Sequence, residues 1–236
     1  MSSGTLYLVP NLLGDMPAEL AIPAGVAVII RRLDYFVAEN AKSARAFLKI
    51  MASQHALQAI DIRELDVNTP GAALAALLQP ILDGRDGGLL SEAGVPAVAD
   101  PGATLVGLAH RHGIRVVPLV GPSAILLALM ASGLDGQRFA FHGYLPKDEA
   151  ALAKHLRELE TRSRSGLQTQ IFIETPYRND RLLGAVLAHC SPATRLCVAS
   201  DVTLQSESIV TRPIADWKKR RPEIGRRPTV FLMLAA

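Results

Sequence analysis

Aromatic side chains are scarce in this sequence: six Phe, four Tyr and one Trp among 236 residues. That argues against an aromatic-rich all-β sandwich, and the dominance of Ala, Leu and Val favours layered α/β packing. Cysteine is nearly absent. Cys190 and Cys197 have no metal-ligand spacing and no framework around them, which excludes a disulfide scaffold and leaves reduced core thiols of a cytoplasmic protein as the expectation. No apolar run is long and unbroken. The most apolar stretch, VVPLVGPSAILLALMASGL at 116–134, is interrupted by two prolines and two glycines. It stops short of the ~20 apolar residues that span a bilayer, so no membrane association is expected. The start, MSSGTLYLVPN, lacks the basic opening and apolar core of a signal peptide. There is no G-x-G, no P-loop and no G-x-S-x-G, which removes the common dinucleotide, nucleotide and hydrolase fingerprints. His110 and His112 diverge on a helix, so no metal site is expected.

What is present supports one large or two small domains. Hydrophobic residues make up 49% and charged residues 20%, enough for packed cores. The net charge of +3 permits an anionic partner without requiring one. Much of the excess lies in KKRRPEIGRR (218–227), with six basic side chains and one acid. Read by itself, that run is a solvated surface segment.

Short apolar runs predict strands at 5–9, 26–30, 35–39, 61–65, 87–90 and 114–118, with helices at 42–54, 71–82 and 103–112. The alternation is that of a mostly parallel sheet covered on both faces. Thr69-Pro70-Gly71 reads as a helix start with Thr69 as the cap. After a buried helix at 123–133, strands are expected at 138–142, 169–174, 195–200, 207–211 and 229–234, with helices at 148–161 and 177–189. The last three strands leave little room for long helices between them, which predicts antiparallel pairing and a mixed second sheet. The expected domains are 1–119 and 120–236, both α/β.

Four loops stand at the carboxyl ends of these strands, where open α/β sheets bind ligands. They are Pro10-Asn11-Leu12-Leu13-Gly14-Asp15, the stretch LSEAGVPAVADPG (90–102), Val120-Gly121-Pro122-Ser123-Ala124, and Glu174-Thr175-Pro176-Tyr177-Arg178. In the second, Ala93 and Gly94 leave room for close backbone approach, Pro96 and Pro101 stiffen the chain, and Asp100 suits a turn or cap.

These stretches resemble the tetrapyrrole methylase superfamily, and within it the branch of small-subunit ribosomal RNA methyltransferases. The resemblance runs through LYLVPNLLGD (6–15), Ser91 to Gly102, GIRVVPLVGPSA (113–124), ALMASGL (128–134), FAFHGYLP (139–146) and IETPYR (173–178). It implies two α/β domains with S-adenosylmethionine (SAM) in the cleft between them. It further implies that the cofactor is held by Pro10, Leu90, Ser91, Glu92, Ala93, Gly94, Pro96, Asp100, Gly121, Pro122, Ser123, Ala124, Pro228 and Thr229. It implies an RNA substrate from the small ribosomal subunit, methylated at a ribose hydroxyl, and a homodimer.

The chain departs from that branch at named positions. Glu39-Asn40-Ala41-Lys42 stands where the branch reads like E-D-T-R. Ser200 and Leu204 stand at two basic positions of a segment like R-E-L-T-K. Pro228-Thr229 replaces the glycine and acid of a strand start like K-G-E. Phosphates are held mainly by Lys and Arg, so these changes leave open a small-molecule (tetrapyrrole-like) or protein acceptor, and a SAM-binding module without turnover. A hydroxyl acceptor gains from a base. Lys42, Glu92, Glu174 and Tyr177 are the candidates, and Glu174 could instead pair with Arg178, four residues on.

Overall fold

The computed structural model describes residues 3–66 and 69–235. The chain divides into two compact units, Met1–Ser123 and Ala124–Ala236, each with its own five-stranded sheet.

In the first unit the strands are β1 (Thr5–Val9), β2 (Tyr35–Ala38), β3 (Asp61–Glu64), β4 (Gly87–Leu90) and β5 (Arg115–Pro118). They lie in the order β3-β2-β4-β1-β5, and every pairing is parallel. The helices are α1 (Ala24–Arg32), α2 (Ala41–Ile50), α3 (Gly71–Leu82) and α4 (Gly102–Arg111). Successive strand side chains point to opposite faces, and β2 shows the consequence. Phe36 and Ala38 join a core with Val26, Ile30 and Phe47 of α1 and α2. Tyr35 and Val37 join another with Leu78, Ile81 and Leu105 of α3 and α4. The sheet is thus covered on both faces.

The second unit has α5 (Ala124–Ser132), β6 (Phe139–Tyr144), α6 (Glu149–Gly166), β7 (Thr169–Ile173), α7 (Asn179–His189), β8 (Arg195–Ser200), β9 (Ser208–Pro213), α8 (Ile214–Lys219) and β10 (Thr229–Leu234). Its strand order is β6-β7-β10-β8-β9. Only β6 and β7 pair in parallel; β10 runs antiparallel to β7 and β8, and β9 antiparallel to β8. The core stacks Phe172 on Phe231, with ring centroids 5.9 Å apart.

Two expectations are corrected. Residues 26–30, expected as a strand, are helical within α1. Val26, Ala27 and Ile30 are buried while Val28 is 59% exposed, a 3.6-residue pattern that a two-residue alternation would not give; a short apolar run does not by itself separate the two. Thr69 does not cap α3. Pro70 occupies the cap position without a side-chain bond, and the Thr69 hydroxyl donates to Asp66 Oδ1 at 3.1 Å. The segment after β9 forms α8, where buried Trp217 donates from Nε1 to Leu196 O at 2.9 Å. Among the described residues, no helix is long and apolar enough to cross a membrane.

Candidate functional site

Neighbouring strands of the first sheet lead to helices on opposite faces at three places, and β1 and β4 form one of them. β1 runs into α1 on one face, and β4 runs into α4 on the other. β1 and β4 are adjacent, so their carboxyl ends form a switch point of the kind at which open sheets bind ligands. The loops that leave it are bonded together. Asn11 Nδ2 donates to Ser91 O and Glu92 O, both at 3.0 Å, and Asn11 N donates to Gly94 O at 2.8 Å. Asn11 is therefore a fastener of the site that sequence reasoning placed in the first loop without assigning it a role. No sequence signal marked it: its burial and the partners that satisfy its two donors come from the fold.

The third loop closes on the first two. Gly121 packs on Pro10, and Gly94 lies between Leu13 and Pro122 O. Gly94 takes a φ of +70°, which favours glycine. Residues Pro10, Ser91–Gly94 and Gly121–Pro122 are thus brought together by the first unit alone.

Asp100 organises the rest of the second loop. Its Oδ1 accepts from Ala97 N at 2.8 Å and Gly102 N at 2.9 Å. Its Oδ2 is buried and has no partner. Ala97 and Ala99 are both left-handed, with φ of +65° and +66°, an arrangement that costs on the order of 1–2 kcal/mol each. A hollow of about 10 Å³ is lined by Glu39, Leu90, Ser91, Pro96, Asp100 and neighbours. That is room for about one water molecule, far below the ~300–1,000 Å³ of pockets that enclose a whole drug-sized ligand, so within this unit it takes only a small part of one. Burial pushes the Asp100 carboxyl up from its ordinary value. Glu39 is pushed up as well, by burial first and then by the charges of Asp100 and Glu92.

Asn40 turns out to be the cap of α2: its Oδ1 accepts from Lys42 N at 2.8 Å and Ser43 N at 3.2 Å. Asparagine caps as well as aspartate does, so this departure removes a charge and keeps the helix start. Glu92 Oε1 accepts from Ser43 Oγ at 2.5 Å.

In the second unit β6, β7 and β8 point the same way, and β10 runs back between β7 and β8. The carboxyl ends of β7 and β8 and the start of β10 therefore share one edge. The side chain of Glu174, after β7, is largely buried; its Oε1 accepts from Arg178 Nη2 and from Thr175 N, each at 2.6 Å. The pairing alternative for Glu174 is the one realised. Ser200 and Thr229 are directly opposite each other, buried, with their hydroxyls 2.9 Å apart. Arg227 donates to Asp201 Oδ2 at 2.7 Å and to Ser206 O. The basic run is thus partly structural: Arg221 donates to Asp180 O, Lys219 pairs with Asp216, and Arg226 lies over the Tyr177 ring.

Strain and unmet polar groups gather at these edges. Among the described residues, the buried side-chain atoms without a partner are Asp100 Oδ2, Arg178 Nε, Asn179 Oδ1 and Thr203 Oγ1. Asp100 and Thr203 stand in loops after β4 and β8, Arg178 in the 3-10 turn after β7, and Asn179 is the first residue of α7. Asp201 and Thr203 have positive φ, as Ala97 and Ala99 do. Each unmet group costs about 1–3 kcal/mol, and such costs concentrate where a ligand is bound.

The family model for Tetrapyrrole (Corrin/Porphyrin) Methylases matches residues 5–217. A "Ribosomal RNA small subunit methyltransferase I" of Mesorhizobium japonicum is 34% identical over 89% of this chain and 69% of its own length. One from Pseudomonas aeruginosa is 30% identical over 92% and 74%. The crystal structure of the methyltransferase CobJ superposes with a TM-score of 0.65 at 20% identity, covering 99% of this chain and 95% of its own. That of diphthine synthase gives 0.68 at 14%, covering 99% and 90%. At these identities the two structures speak for the fold alone. The switch-point loops and the matched span agree: the chain is a methyltransferase of the tetrapyrrole methylase family.

Proposed function

We propose that the chain transfers methyl groups from SAM to RNA of the small ribosomal subunit, at a ribose hydroxyl. The observation that carries the cofactor half is Asp100. Its loop is strained at two alanines, its Oδ1 is spent on backbone amides, and its Oδ2 is left unpartnered in the hollow beside Glu39. A cationic ligand of which only part enters the hollow fits this pair of carboxyls, and SAM carries positive charge. Residues Pro10, Leu90, Ser91, Glu92, Ala93, Gly94, Pro96, Gly121, Pro122, Ser123, Ala124, Pro228 and Thr229 remain the proposed contacts. The cofactor, when bound, supplies an electrophilic methyl group on a neutral leaving sulfur. What the chain contributes is alignment and exclusion of water. Glu174 is committed to Arg178 and Thr175, and Tyr177 is exposed with its ring against Arg226, so the base is sought between Lys42 and Glu92.

The RNA half is supported by the relatives' names and the shared loops. One observation favours a second acceptor class, a small molecule or protein. The Ser200–Thr229 hydroxyl pair puts neutral groups at the sheet edge where the RNA branch carries charge. A cytoplasmic homodimer is also proposed. Helix α5 is apolar all round, yet Met130 is 79% exposed; such helices are ordinarily covered.

The test is transfer of labelled methyl groups from SAM to small subunits from cells lacking this protein, with subunits from ordinary cells as control. Label in the RNA of the former alone is the expected result. No label, from protein shown to bind SAM, moves the acceptor to small molecules or proteins.

A further inference from the structure

Tyr177 is 76% exposed, although it sits in a rigidly held turn. Pro176 precedes it in a single 3-10 turn, and Arg178 after it is fixed by the ion pair to Glu174. The Arg226 guanidinium lies 4.8 Å from the centre of the tyrosine ring. Arg226 is held just as firmly. Its neighbour Gly225 and the adjacent Ile224 donate their amides to the Asp180 carboxylate at 3.0 and 2.8 Å. Its other neighbour, Arg227, accepts at its carbonyl from Asn179 Nδ2 at 2.7 Å. Two clamped segments therefore present a stacked arginine and tyrosine to solvent. With that much of the side chain exposed, the guanidinium covers at most one face of the ring.

We propose that Tyr177 and Arg226 form a stacking platform for an unpaired base of the substrate RNA. Proteins read single-stranded RNA by stacking splayed bases on aromatic rings and guanidinium planes, with cations close to the backbone. The platform supplies both and stands at the carboxyl end of β7, on the sheet edge that carries the strained turn at Asp201 and Thr203. Its role is substrate positioning, and the tyrosine hydroxyl has no part in it. The inference rests on the RNA reading above.

The test measures KM and kcat for small subunits, with SAM affinity as the folding control, for Tyr177→Ala, Tyr177→Phe and Arg226→Ala. Tyr177→Ala is expected to raise KM about tenfold, the size of a lost base–aromatic stack, with kcat and SAM affinity within about twofold of the parent. Tyr177→Phe should keep KM and kcat. Arg226→Ala should raise KM and flatten its dependence on salt. An unchanged KM for Tyr177→Ala overturns the platform while leaving the RNA reading intact. A loss of kcat in Tyr177→Phe also overturns it, since the hydroxyl would then act in the chemistry. If the parent enzyme methylates no RNA but does methylate a small molecule or peptide, the RNA reading fails and the platform fails with it.

Discussion

Gly121 lies against the ring of Pro10 so closely that a Cβ added to it would fall 2.1 Å from the proline Cβ and 2.4 Å from its Cγ. One missing methyl group therefore sets the spacing of the first and third loops at the switch point. Gly121→Ala is expected to force them apart, at a cost of about 1–3 kcal/mol, and to weaken SAM binding more than stability alone explains. Calorimetry with SAM and a thermal melt check it. An unchanged affinity would remove these loops from the site.

Glu39 and Asp100 predict a dependence on pH. Both carboxyls are pushed up from ordinary values of 4.5 and 3.8, chiefly by burial. A raised acid binds its proton more tightly in the folded state, so its stabilisation is complete below the ordinary value and is lost as pH rises through the raised one. As pH rises from about 4 through the carboxylate range, parent stability should therefore fall relative to Glu39→Gln and Asp100→Asn. SAM affinity should do the opposite and strengthen over the same window, because a cation favours the charged carboxyls. Melts and calorimetry across that range decide it; parallel stability curves for parent and variants would contradict it.

Removing Glu174 tests whether it is structural or chemical. The Arg178 Nε already lacks a partner, and Glu174→Ala would strip another bond from a half-buried guanidinium. A loss of about 2 kcal/mol is expected, as for charged hydrogen bonds. Glu174→Gln should keep its turnover per folded molecule. A fall of about 10²–10⁴ in kcat, the contribution of a general base, would show that Glu174 acts on the substrate instead.

The two thiols should be inert in the native protein. Burial pushes Cys190 up to about 12 and raises Cys197 in the same direction, which suppresses the reactive thiolate. A thiol reagent at about pH 8, close to the free thiol's own pKa, should label neither in the folded state and both in denaturant. Fast labelling of the folded chain would mean that the second unit opens readily.

The basic run at 218–227 shows how an exposed-looking sequence acquires structure. Charge density alone suggests a solvated segment, yet Arg227 is committed to Asp201 and Arg226 to Tyr177. Those partners are 26 and 49 residues away in the chain, and no local pattern reports them. The same holds for Ser200 and Thr229. Each reads as a lost charge in isolation, and the antiparallel register turns them into a hydrogen-bonded pair.

The sequence by itself determined the alternation of strands and helices, the mixed second sheet, the four loops and the family, because these rest on local periodicity, turn chemistry and short motifs. It misassigned 26–30, where a five-residue apolar run suits either structure and only burial on one side of α1 decides. Tertiary structure alone decided which loops meet. Asn11 fastens Ser91 and Glu92 from 80 and 81 residues away, because β1 and β4 are neighbours in the sheet without being neighbours in the chain. It also decided which polar atoms lack a partner. Whether Asp100 Oδ2 is satisfied depends on every group packed around it, and that is a property of the folded surroundings.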